Sequence, residues 1–163
     1  MSRITFLIAV LLLMISCSPT TYYIVRHAEK EAQAANMSSD VPLSAAGSER
    51  AIALKTLLHH KKIQHIYSTN TIRTKTTAQP LSEVIGINIQ TYEPRDTSFI
   101  TRVKALPKGN VLIVGHSNTV DDLVNGFYQQ SGLKDLPDSQ YGDLFILKKK
   151  KKSYDFSVSR FGK

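Results

Sequence analysis

The sequence holds one cysteine, Cys17, so no internal disulfide can form, whatever redox compartment the chain occupies. It has no internal repeat, and its one low-complexity stretch is the lysine run Lys148 to Lys152. Its longest apolar run, Ile4 to Ile15, is about a dozen residues, too short for a membrane-spanning helix. Acidic residues are outnumbered, 13 against 21 lysines and arginines, for a net charge of +8. Five of those positive charges sit in the lysine run, and basic residues are not interleaved with aromatics over a face. The excess therefore describes one patch and argues against a nucleic-acid partner. Long insertions of the kind that form lids are also missing. The remaining composition, 42% hydrophobic and 21% charged over 163 residues, is that of one globular domain.

Residues 1–16 read as an export signal, with Arg3 before the apolar run. The segment Met14-Ile15-Ser16-Cys17 resembles the lipobox of bacterial lipoproteins, with Met14 where leucine is usual. That resemblance implies lipidation of Cys17, a short linker over 17–20, a folded domain over 21–163, and an exported protein anchored to a bacterial cell membrane on its periplasmic or surface side. A generic signal peptide is the alternative.

The rest alternates strand and helix. Tyr22 to Val25 is short, aromatic and β-branched, as a buried strand is. Glu29 to Asp40 has no apolar period and reads as a loop. Ser44 is a good N-cap for a helix carrying Ala51, Leu54, Leu57 and Leu58 at helical spacing through His60. Ile63–Tyr67 reads as a strand. Thr71–Ile85 suits a helix that Pro80 must kink or restart and Gly86 ends. Further strands are expected at Ile87–Tyr92, Val111–Val114, Gly142–Leu147 and Phe156–Val158. Helices are expected over Phe99–Leu106 and from Gly115-His116 toward Gln130. The continuous apolar run Val111–Val114 suggests a central parallel strand. The order implies an α/β fold with a mostly parallel sheet, whose ligands would sit beyond the carboxyl ends of the strands.

Three unlinked segments with phosphate-type chemistry fall at those ends. Arg26 and Arg73 each offer a planar guanidinium that matches phosphate oxygens. His27, beside Arg26, is a competent nucleophile when neutral. His116 follows Gly115 and could serve as a proton-bearing donor to the same oxygens. His59, His60 and His65 lie on or after an amphipathic helix and read as solvated or structural. Glu29 and Lys30 read as a surface ion pair. Each residue alone means little; their order across strand ends carries the argument.

Tyr23-Ile24-Val25-Arg26-His27-Ala28-Glu29-Lys30 resembles the strand-plus-RHG motif of the histidine phosphatase superfamily, the phosphoglycerate-mutase-like group. Pro42-Leu43-Ser44 with Gly47 and Arg50-Ala51, Tyr67-Ser68-Thr69 with Arg73 and Thr76-Thr77-Ala78, and Val114-Gly115-His116-Ser117 resemble its later motifs in order and spacing. The resemblance implies a three-layer α/β/α sandwich and transient phosphorylation of His27. It also implies a phosphate pocket of Arg26, His27, Arg73 and His116 that needs no metal or organic cofactor. Ala28 stands where the motif has glycine. The family's general acid has no clean counterpart; Glu93 is favoured because it follows a strand end, with Asp96 or no acid as alternatives. The expected activity is a phosphatase acting on a phosphorylated small molecule or phosphoprotein. A mutase-type phosphotransferase and a non-catalytic phosphate-binding module are the alternatives. The lysine run reads as a solvated turn between closing strands, or as a contact to anionic lipid.

Overall fold

The computed structural model describes residues 19–32, 40–107, 109–151 and 153–162. Cys17 and residues 1–16, for which the sequence suggests an export signal, lie outside these residues. Six strands form one sheet: β1 (Thr21–Arg26), β2 (Ile63–Ser68), β3 (Ile89–Thr91), β4 (Asn110–Gly115), β5 (Asp143–Lys149) and β6 (Tyr154–Arg160), in the spatial order β3-β2-β4-β1-β5-β6. The first four run parallel, and β5 and β6 close the sheet antiparallel. Four helices cover it: α1 (Ala45–Leu58), α2 (Ile72–Ile85), α3 (Phe99–Lys104) and α4 (Val120–Phe127).

Alternation of side chains along β1 builds both faces. Tyr22 and Ile24 join Val111, Ile113, Phe145 and residues of α3 and α4 in one core. Tyr23 and Val25 join Leu112, Val114 and Leu144 with Leu54 and Leu58 of α1 and Ala78 and Leu81 of α2 in the other. The result is the expected α/β/α sandwich. Val111 to Val114 are fully buried, as a central parallel strand requires.

Several boundaries differ from the sequence reading. β3 is cut to Ile89–Thr91, an edge strand with Ile87 left in the approach. β6 extends to seven residues because it pairs with β5 along its whole length. Pro80 does not break α2, which runs as one 14-residue helix. Proline removes one backbone donor, but Thr74, Thr77, Ala78 and Leu81 are buried along that helix, and their packing holds it across the gap. Glu29 pairs not with Lys30 but with Arg50 of α1, bidentately at 2.6–2.9 Å and partly buried. Burial pushes its carboxyl up, yet the Arg50 hydrogen bonds and charge prevail and hold it below its ordinary value. No helix among the described residues is long and apolar enough to cross a membrane.

Candidate active site

The carboxyl ends of β1, β4 and β2 lie side by side, with Arg26 opposite Gly115 and Ser68 opposite Val114. The chain that follows each strand therefore reaches one edge of the sheet. Arg26 and His27, Arg73 from α2, and His116 line a single cleft of about 510 Å³ there, with Lys30, Arg95, Asp122 and Asp138 on its walls. The four phosphate-pocket residues expected from sequence are thus brought together.

His27 is buried, and its ring lies 5.4 Å from that of His116, edge to face. Its Nδ1 is 2.7 Å from the carbonyl oxygen of Ala28. A carbonyl can only accept, so Nδ1 carries the proton and Nε2 keeps its lone pair. Burial first, and then the charges of Arg73, His116 and Arg26, push the imidazole down to about 3; the Ala28 bond opposes this only in part. At neutral pH His27 is an uncharged base in a cationic cleft. The Ala28 backbone is fixed in turn by Thr77, whose hydroxyl accepts from Ala28 N–H at 3.0 Å and donates to the Arg73 carbonyl at 2.7 Å.

His116 differs from the expected proton-bearing donor. Its Nδ1 accepts from the Arg73 guanidinium at 3.4 Å, and its Nε2–H donates to Thr69 Oγ1 at 2.8 Å. Thr69 passes its own hydrogen to Thr74 Oγ1 at 3.0 Å, and Thr74 donates to the Thr69 carbonyl at 2.9 Å. This hydroxyl chain sets the tautomer. Burial and the Arg73 and Arg26 charges push the imidazole down to about 4, so it is neutral in the empty cleft.

The arginines have different surroundings. Arg73 is steered by Asp40, whose carboxylate also accepts from Ile72 N–H at the start of α2. Arg26 is held by the loop before β5. One terminal nitrogen donates to the carbonyls of Pro137, Asp138 and Gln140 at 2.8–3.2 Å, the other reaches Tyr141 Oη at 3.3 Å, and the guanidinium lies 4.2 Å over the Tyr141 ring. Its Nε is buried with no hydrogen-bond partner among the described residues. An anionic oxygen is the acceptor that such a donor lacks.

The carboxyls fall differently from the sequence reading. Glu93 is exposed and is not among the cleft residues, although Pro94 and Arg95 beside it are. Asp96 bonds Arg102 at 2.6 Å and Ser98 at 2.6–2.9 Å, which hold its carboxyl well below the usual range; it faces a neighbouring hollow. Asp122, in the first turn of α4, and the exposed Asp138 line the cleft itself. Sequence reasoning missed the 137–141 wall, Thr69 and Asp122. The two threonine segments were visible as motif residues but not as a proton-positioning chain. Among the described residues, no group of three or more His, Cys, Asp or Glu could hold a metal ion.

Residues 22–95 match the histidine phosphatase superfamily (branch 1). No curated protein sequence matches the chain. Among solved structures, it is similar to the protein histidine phosphatase SixA complexed with tungstate (TM-score 0.70, 17% identity, 86% of this chain and 97% of that one). It is also similar to a mycobacterial glucosyl-3-phosphoglycerate phosphatase (0.63, 13%, 88% and 98%) and to YhfR of Bacillus stearothermophilus (0.61, 19%, 86% and 96%).

Proposed function

We infer that this chain, whose residues 22–95 match the histidine phosphatase superfamily (branch 1), is a member of that superfamily and a phosphatase that works through a phosphohistidine at His27. The observation that carries the reading is the neutral His27 imidazole, its Nδ1–H tied to the Ala28 carbonyl and its lone pair directed to Nε2, inside a cleft with two guanidinium groups. Nε2 attacks the phosphorus of a phosphomonoester. The N–P bond forms as the bond to the leaving oxygen breaks. Arg26 and Arg73 hold the phosphoryl oxygens and offset charge as it develops. The phosphoryl group also offsets the cationic field that keeps His116 deprotonated, so His116 takes a proton at Nδ1 and becomes a further donor to it. Water then attacks the phosphorus, the N–P bond breaks, and orthophosphate leaves. Asp122 and Asp138 are the carboxyls placed to exchange protons with leaving group and water.

The similar structures bear names for both a protein and a sugar-acid substrate, and the cleft is polar and open to solvent. A phosphorylated small molecule and a phosphoprotein therefore stand as the two substrate classes. The lipobox-like segment ending at Cys17 supports an exported, lipid-anchored protein; Cys17→Ser then moves the protein out of the membrane fraction. Release of phosphate from p-nitrophenyl phosphate by the wild type, lost by at least a hundredfold in His27→Ala, tests the activity. Equal rates would sink it.

A further inference from the structure

The edge of the sheet opposite the cleft has a composition that the proposed activity does not use. Three turns meet there. Lys61 and Lys62 end the α1–β2 connection, Lys104 ends α3 before β4, and Lys148 to Lys151 lie on the β5–β6 hairpin. They are joined by specific contacts. Asn110 donates from Nδ2 to the Lys61 carbonyl at 2.6 Å and accepts at Oδ1 from Thr21 N–H at 2.8 Å. Lys149 N–H donates to the Thr20 carbonyl at 2.8 Å, and Lys149 Nζ reaches the Lys104 carbonyl at 3.4 Å. The first residues of β1, β2 and β4 and the hairpin thus form one surface.

On it Lys61, Lys62, Lys148, Lys150 and Lys151 are exposed. Counter-charge is sparse: among the described residues, Glu83 lies in the last turn of α2, and Asp155 pairs with Lys150 at 2.8 Å. Lys104 loses basicity to burial and to the nearby Lys149 charge, as expected where cations crowd without acids. Glu29, Asp40, Asp122 and Asp138, by contrast, are grouped around the cleft edge. Strands of six residues separate the two edges by roughly 20 Å.

We propose that this lysine-bearing edge docks on a layer of anionic lipid headgroups, with the catalytic cleft turned away from the membrane into solution. Two observations favour a lipid surface over another polyanion. The chain enters the fold at this same edge, at Thr20–Thr21, only a few residues after the apolar run Ile4–Ile15. The exposed lysines also sit on turns around a broad end of the molecule, and the Phe127 and Tyr154 rings beside Lys104 are packed into or against the core rather than offered as a stacking platform, which suits a flat charged layer better than a strand of bases. The inference concerns a surface remote from His27 and holds whether or not the cleft is a phosphatase.

The test uses the full chain and two kinds of vesicle, pure phosphatidylcholine and the same lipid with 30% phosphatidylglycerol, in sedimentation at moderate and high salt. Whatever binding the residues before the fold add is common to both vesicles, so the ratio of the two affinities reads the lysine surface. A lysine near an anionic surface contributes about fivefold in affinity. Lys61→Gln, Lys62→Gln, Lys150→Gln and Lys151→Gln combined are therefore expected to lower the ratio at least tenfold. Arginine at the same four positions keeps the ratio, which excludes a folding defect as its cause. Hydrolysis of a soluble aryl phosphate by the glutamine variant matches the wild type, and vesicles do not inhibit it. The assignment is overturned if the ratio is the same in wild type and glutamine variant. It is equally overturned if Lys30→Gln with Arg95→Gln at the cleft abolishes the preference, or if a duplex oligonucleotide displaces the protein from anionic vesicles at equal phosphate concentration.

Discussion

At the scale of the residue, the informative feature of the cleft is that its two histidines are both neutral and are held in opposite tautomers. His27 donates from Nδ1 to a carbonyl, whereas His116 donates from Nε2 to Thr69. Their basicity has a consequence for stability. In the unfolded chain a histidine takes up its proton near pH 6.5. In the fold His27 is pushed down to about 3 and His116 to about 4, burial being the larger cause in each. Between those values and pH 6.5 the unfolded chain binds more protons than the folded one. The histidines' contribution to stability is therefore complete above about pH 6.5 and is lost as pH falls, down to about 4 for His116 and about 3 for His27. For His27 the loss amounts to about 2 kcal/mol at pH 5. Urea midpoints at pH 7.5 and pH 5 check this: the drop is expected to shrink in His27→Asn, which keeps a donor to the Ala28 carbonyl but does not titrate. The carboxyls make a separate prediction. Asp122 lines the cleft and Glu93 does not, so Asp122→Asn is expected to slow phenyl phosphate hydrolysis at least tenfold. It should spare p-nitrophenyl phosphate, whose leaving group needs less protonation. Glu93→Gln should change neither rate. The reverse pattern would return the acid's role to Glu93. The sequence could not separate these carboxyls, because Glu93 follows a strand end while Asp122 reaches the cleft only through the way α4 starts.

At the scale of the element, the nucleophile's position depends on how α1 docks. The segment after His27 pairs with the segment before α1, through Glu31 N–H to the Pro42 carbonyl and Ser44 N–H to the Glu29 carbonyl, both at 3.0 Å. Ser44 then caps the helix by accepting from Gly47 N–H at 3.1 Å. Gly47 lies so close to this pairing that a Cβ there would overlap the Glu29 carbonyl oxygen. Gly47→Ala must part the helix from the His27 segment. It is expected to cost about 1–3 kcal/mol, as overpacking does, and to lower kcat even where the protein remains folded, which denaturation and turnover measured together will check. The same elements show what the sequence made legible. Ser44, Gly86 and the apolar spacing of α1 act locally, and the helices they mark are where the sequence places them. Pro80 misleads because its local penalty is outweighed by burial of Thr77, Ala78 and Leu81, a tertiary effect without local signature. The wall at 137–141 was equally hidden: its grip on Arg26 runs through backbone carbonyls, whose direction no residue type encodes.

At the scale of the whole molecule, parallel strands and order along the chain explain why so distant a set of residues was readable at all. In a parallel sheet every strand delivers its following residue to one edge. Arg26-His27, Thr69 with Arg73, and His116 needed only the right strands before them to converge. The lysine turns converge at the other edge by the same rule, and the two surfaces should respond to different anions. Inorganic phosphate at one hundred times its dissociation constant stabilises a binding protein by about 2.7 kcal/mol, which for a domain of this size raises Tm by roughly 5–10 °C. The shift is expected in the wild type and in the four-lysine glutamine variant alike. It should be lost in Arg73→Gln, because Arg73 supplies both a guanidinium in the cleft and the hydrogen bond to His116. A phosphate-induced shift that survived in Arg73→Gln and vanished in the lysine variant would place the anion at the opposite edge and remove the cleft's claim to phosphate.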